Sequence, residues 1–169
     1  MAETWYLRGT VAATSCGPGK TLDQDAASGP LAQNVPLDFL GRAWGRIEAA
    51  ARRLDPGTWA VAVRLQVTGN TGTNVALVRV FHRDSACLIK NELLSENVTL
   101  VNDTTAVYTA SDTAQAVQIE VDDVVTVEVA HTQGPDAVAL WFNGVSPNDS
   151  NLQNPDAGVD PGHQVYQVM

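Results

Sequence analysis

Residues 54–68 read LDPGTWAVAVRLQVT, a turn that opens directly into a strand. Pro56 fixes φ near the value a turn needs, and Gly57 supplies the permissive position behind it. Trp59, Val61, Val63, Leu65 and Val67 then recur on every second residue, which sets five large apolar side chains on one face. Ala60, Ala62, Arg64 and Gln66 take the other. A strand reads this way when one side packs on a core and the other meets water or a small-residue contact.

The rest of the chain supports a sheet around that strand. Its 169 residues suit one domain, and an apolar set dominated by Val and Ala favours strands over helical bundles. Residues 4–10, TWYLRGT, read as a short aromatic strand docked on an edge. Residues 75–82 are apolar on both faces, which predicts a central strand. In residues 117–129, Val117, Ile119 and Val121 alternate before Asp122-Asp123, and Val125, Val127 and Val129 alternate after it, so a hairpin is predicted. Val138, Leu140 and Phe142 share a face before Asn143-Gly144 closes their strand. These and the intervening runs make about eight strands spaced about ten residues apart, the signature of an antiparallel β-sandwich of jelly-roll type. The predicted domain is 1–169, with its core at about 37–144 and long polar arms at 11–36 and 145–169.

One region is ambiguous. Leu37, Leu40, Trp44, Ile47, Ala51 and Leu54 recur at helical spacing, whereas Gly41 and Gly45 oppose a helix and leave a strand around 42–51 as the alternative.

Chemistry is sparse by comparison. A net charge of −9 disfavours nucleic acid and anionic lipid, and no stretch approaches a membrane span of about 18 apolar residues. No basic start followed by an apolar run marks a signal for export. Cys16 and Cys87 alone make no zinc site, and free buried thiols are predicted in a reducing compartment. Gly17 to Thr21 imitates the end of a phosphate-binding loop, but Thr14 stands where that loop needs its first glycine, so a plain turn is predicted. The sequons at Asn97, Asn102 and Asn148 read as chance in a polar surface.

His82, His131 and His163 lie at strand ends or in coil without metal-ligand spacing, and Asp149, Asp156 and Asp160 lack the alternation of a calcium loop. Asp122-Asp123 reads as a solvated hairpin turn rather than an acid/base pair. No catalytic, cofactor-binding or metal residue is therefore assigned, no cofactor is expected, and the chain is expected not to be an enzyme. Trp59 belongs with the core. Trp5, Tyr6 and Trp141 are the candidate subunit or partner contacts, Trp141 because it faces away from Leu140 and Phe142.

The runs PGTWAVAVRLQV, VDDVVTVEV and AVALWFNG, with the opening TWYLRGT, resemble β jelly-roll virion proteins of tailed bacteriophages. In that group a Gly-Thr-Trp turn opens a core strand, a turn resembling Gly-Asp precedes a Glu-containing strand, and a late strand ends in an aromatic-Asn/Asp-Gly turn. Here Asp122 stands at the glycine position. The resemblance implies a head decoration, or cement, protein made in the host cytoplasm that binds the capsid exterior and stabilises the shell. Its partner would be the major capsid protein, and it would be a homo-oligomer, a trimer being favoured. The resemblance also favours a strand at 44–51. The alternative is a carbohydrate-binding jelly-roll module of a phage tail or fibre, working through exposed aromatics.

Overall fold

The structure, a computed structural model, describes residues 3–11, 20–23, 31–35, 37, 42–142 and 150–155. Its regular elements are all strands: β1 (Thr4–Val11), β2 (Lys20–Asp23), β3 (Leu31–Val35), β4 (Arg42–Ile47), β5 (Arg52–Leu54), β6 (Gly57–Thr68) and β7 (Asn74–Arg83) in the first half. β8 (Ile89–Leu100), β9 (Thr105–Ala114), β10 (Val117–Ile119), β11 (Val124–Gln133), β12 (Ala137–Phe142) and β13 (Asn151–Gln153) complete the set. They form the antiparallel β-sandwich of jelly-roll type that the alternation predicts.

β6, the strand read first, is the hub. β9 pairs along one edge, from Gly57 opposite Ala114 to Gln66 opposite Thr105. The other edge is shared, β12 taking the later half and β13 the earlier one, with Leu65 opposite Leu140 and Val61 opposite Leu152. β3 pairs β12. From β13 the hydrogen bonds pass through β1 and β2 into the second layer, β4, β11, β7 and β8, with β2 lying parallel to β4. A separate ribbon of β5 and β10 lies outside this path.

The five apolar residues of β6 are all buried, as are Trp44 of β4, Ala76, Val78 and Val80 of β7, and Val125, Val127 and Val129 of β11. Trp44 meets Phe142 of β12 edge-on with ring centroids 5.3 Å apart, so the layers are keyed by an aromatic pair. Each fully buried large side chain contributes about 1.5–3 kcal/mol through removal from water, which makes this contiguous core the main support of the fold.

The ambiguous 42–54 region holds two strands, β4 and β5, joined by a bend at 49–50; a strand is what the resemblance favours, and Trp44 and Val127 sharing the core face lets the pairing of β4 with β11 override helical spacing. Several other expectations are corrected. Stretches predicted as coil carry β2, β3 and β13, each short and held by partners rather than by its own pattern. The core accordingly extends past 37–144 to Trp5, Leu7, Val35 and Leu152. The hairpin of 117–129 is absent: β10 pairs β5, while β11 pairs β4 and β7. Asp122 does sit in a turn there with φ 66°, a left-handed conformation that aspartate tolerates and the glycine of the phage pattern would adopt freely.

Gly57 is required for room rather than for its dihedral. A Cβ there would stand 2.8 Å from Cβ of Pro155, just beyond β13. Cys87 is disulfide-bonded, contrary to the free thiol predicted, and the chain's other cysteine is Cys16.

Candidate functional site

Three groups of polar or aromatic side chains stand out, one at each end of the sandwich and one on its outer face. At the end where β7 finishes, His82 is fully buried and its Nε2 lies 2.6 Å from Oδ2 of Asp123. The same oxygen accepts from Lys90 Nζ at 2.9 Å and from the Glu120 amide at 2.9 Å. On the other side of the ring, the Asn91 amide nitrogen lies 3.0 Å from Nδ1. With that amide as donor, Nδ1 accepts and Nε2 carries the proton given to Asp123. Burial pushes the Asp123 carboxyl up, but the Glu120 N–H, Lys90 and His82 outweigh it and hold it below its usual value. Both ring nitrogens are thus committed, and the cluster is built to seal the 120–123 turn against β7 and β8. In sequence Asp122-Asp123 reads as two solvated acids; Asp123 is instead buried.

Near that end, two guanidinium groups lie over the Trp5 ring, Arg46 5.0 Å and Arg52 5.1 Å from its centroid. Glu48 accepts from Arg52 at 3.0 Å, and Glu3 from Arg52 at 2.8 Å. Burial raises the Glu3 carboxyl, yet Arg52, Asn154 and Arg46 together bring it below its usual value.

At the opposite end, three loops are tied by side chains. Asp136 accepts from the Thr71 hydroxyl at 2.5 Å and the Asn74 amide at 2.8 Å, contacts that hold its carboxyl below the usual range. Asn102 donates to the Gly72 carbonyl at 2.6 Å while its Oδ1 accepts from Asn74, so this sequon residue is spent on structure. Beside the knot lies a cavity of about 380 Å³ lined by Asn34, Val35, Leu37, His131 and residues 134–138. His131 is buried there and its Nε2 has no hydrogen-bond partner among the described residues.

The outer face of β9, β6, β12 and β3 is the third candidate. One cross-strand row places Val107, Arg64, Trp141 and Ala32 side by side, and the next places Thr105, Gln66, Ala139 and Asn34. Trp141 is half-buried; its Nε1 donates to Gln66 Oε1 at 3.1 Å, and the Arg64 guanidinium lies 5.6 Å from its ring centroid. The indole is therefore fixed on both its edge and one face.

Of the contact candidates read from sequence, Trp5 is fully enclosed in the core and Trp141 stands on this outer face, well away from it in the pairing. Tyr6 lies on β1, paired with Asn151 of β13 and Asp23 of β2. Asp149, Asp156, Asp160 and His163 lie outside the described residues. Among the described residues no three His, Cys, Asp or Glu side chains gather as metal ligands. The His82, Asp123, Lys90 and Asn91 cluster was missed because its members are brought together only by tertiary pairing, and no local spacing announces it.

No protein-family model matches the chain, and no curated protein matches it either. Solved structures do. A CocE/NonD family hydrolase from Staphylococcus aureus superposes with a TM-score of 0.69 at 9% identity, over 92% of this chain and 36% of that one. An alpha-amino acid ester hydrolase gives 0.56 at 10% identity, over 90% and 36%. A xylan-binding domain from Paenibacillus barcinonensis gives 0.46 at 7% identity, over 92% and 94%. The chain thus spans little more than a third of the length of the hydrolases it matches, and at these identities the likeness is one of fold. It nevertheless corrects the expectation that the chain is not an enzyme. The same jelly roll occurs within hydrolases, so the lack of an acid/base pair in the sequence excludes no enzymatic setting for it.

Proposed function

We propose that the chain is a virion structural protein of a tailed bacteriophage, a head decoration protein that binds the capsid exterior and stabilises the shell. The observation that carries this reading is that all four phage-like runs fall on strands of one core. TWYLRGT lies on β1, PGTWAVAVRLQV opens β6, VDDVVTVEV leads into β11 and AVALWF forms β12. The pattern is therefore a coherent set of core positions rather than scattered short matches. The major capsid protein is the proposed partner, and a trimer the proposed form, since closed symmetry is the usual way for a β-sandwich to use a flat outer face.

Particles assembled without this protein test the reading. They are expected to rupture at a lower temperature, and in milder chelation, than complete particles, and adding back purified protein restores the difference. Equal rupture temperatures, or no binding of the purified chain to bare heads, overturn it. A second reading is favoured by the 0.69 superposition: a jelly-roll module working alongside a separate hydrolase body. Co-purification of the chain with an esterase or amidase activity would support that reading.

A further inference from the structure

The geometry points to a binding site for pyranose rings on the outer face of β9, β6, β12 and β3, centred on Trp141. This goes beyond a role in shell stability and does not depend on it. Trp141 is flanked in register by Arg64 on β6 and Ala32 on β3. Arg64 covers one side of the ring; Ala32 ends at its methyl and cannot rise beside an indole. Among the described residues, the side toward β3 is left open.

The floor on that side is made by the methyl groups of Ala32 and Ala139, and the next row brings Asn34 on one flank and Gln66 on the other. Asn34 is exposed, and Gln66 uses its carbonyl oxygen to hold Trp141, which leaves its amide N–H groups for a ligand. An immobilised aromatic face, a shallow apolar floor and a rim of amide and guanidinium donors match a sugar ring, whose C–H face is apolar and whose edge is hydroxyl.

Size favours such a ligand over a second protein. Four strands about 4.8 Å apart, over the five residues from Arg64 to Thr68 at about 3.4 Å each, offer roughly 330 Å². A stable protein interface needs about 800 Å² per partner, so this face alone is less than half of one. Two or three sugar rings fit it. The chain's charge of −9 selects a neutral glycan over a polyuronate, Arg64 being the single charged side chain in the two rows.

The test is calorimetric titration of the full chain with cellohexaose, maltohexaose and tri-galacturonate. Saturable binding of a neutral hexaose is expected, weakened at least tenfold in Trp141→Ala with the melting temperature and scattering mass unchanged. Ala32→Glu, which fills the open flank on an exposed edge strand, is expected to weaken it similarly and serves if Trp141→Ala fails to fold. Absence of heat with all three probes overturns the proposal, as does binding that survives both substitutions. Binding of tri-galacturonate alone overturns the choice of a neutral ligand. Loss of oligomer mass in Trp141→Ala overturns the site in favour of a protein contact.

Discussion

Replacing His82 with alanine probes a fully enclosed polar group. The side chain is 0% exposed and bonded on both ring nitrogens, to Asp123 at 2.6 Å and Asn91 at 3.0 Å. A hydrogen bond to a charged partner contributes about 1.5–3 kcal/mol and a neutral one about 1 kcal/mol, while the space left by an imidazole adds a cavity penalty. The expected loss is about 3–5 kcal/mol, a large fraction of the roughly 5–15 kcal/mol that holds a domain folded. Urea unfolding followed by tryptophan fluorescence measures it, and the denaturant slope should be unchanged. Removing Asp123 as well should cost less than the sum of the two single substitutions, because the bond the two groups share is lost only once, while the Glu120 amide and Lys90 lose their acceptor in either Asp123 variant. Lys90→Met provides the contrast: its side chain is 36% exposed, so solvent screening limits the cost to under about 1 kcal/mol. A loss below about 1 kcal/mol for His82→Ala would refute the assignment of this cluster as a structural seal.

The carboxyl groups of Asp123, Asp136 and Glu3 are all held below their usual values, which fixes the direction of acid sensitivity. A depressed folded-state value means the stabilisation is present above the ordinary carboxylate range and is lost as pH falls through the lowered values. Melting temperature should therefore drop steeply below about pH 4, and Asp123→Asn should flatten that drop; a profile identical to the parent's contradicts the cited contacts. Gly57→Val should destabilise by about 1–3 kcal/mol because the new side chain meets Cβ of Pro155, and Pro155→Gly, which removes that Cβ, should recover part of the loss in the same chain. Chemical denaturation of the single and double variants checks it, and equal losses in both would remove Pro155 as the cause.

Legibility in the sequence followed how each residue earns its place. β6 and β12 were plain because alternation records a single buried face, and β7 because both its faces carry apolar residues. β13 was hidden: of Asn151, Leu152 and Gln153 only Leu152 reaches the core, and one apolar residue makes no period. The hairpin drawn through Asp122-Asp123 failed because alternation says which face a residue takes but not which strand lies beside it. Val117 and Ile119 do point inward, yet toward a ribbon with β5. Trp5 illustrates the same limit from the other side. A tryptophan almost at the start of the chain suggested a contact surface, but Arg46 and Arg52, 41 and 47 positions later by numbering, close over it.

The slot between β1 and β6 is filled by β13, so residues near 152 are neighbours of those near 5 and 61. Glu3 and Asn154 even exchange backbone and side-chain hydrogen bonds across that closure. Synthesis must therefore run past residue 153 before the first layer can be finished, and β1 waits until then with one edge bare. Such long-range closure is slow, and it makes the interval before β13 emerges the moment when nascent copies are most prone to pair with each other.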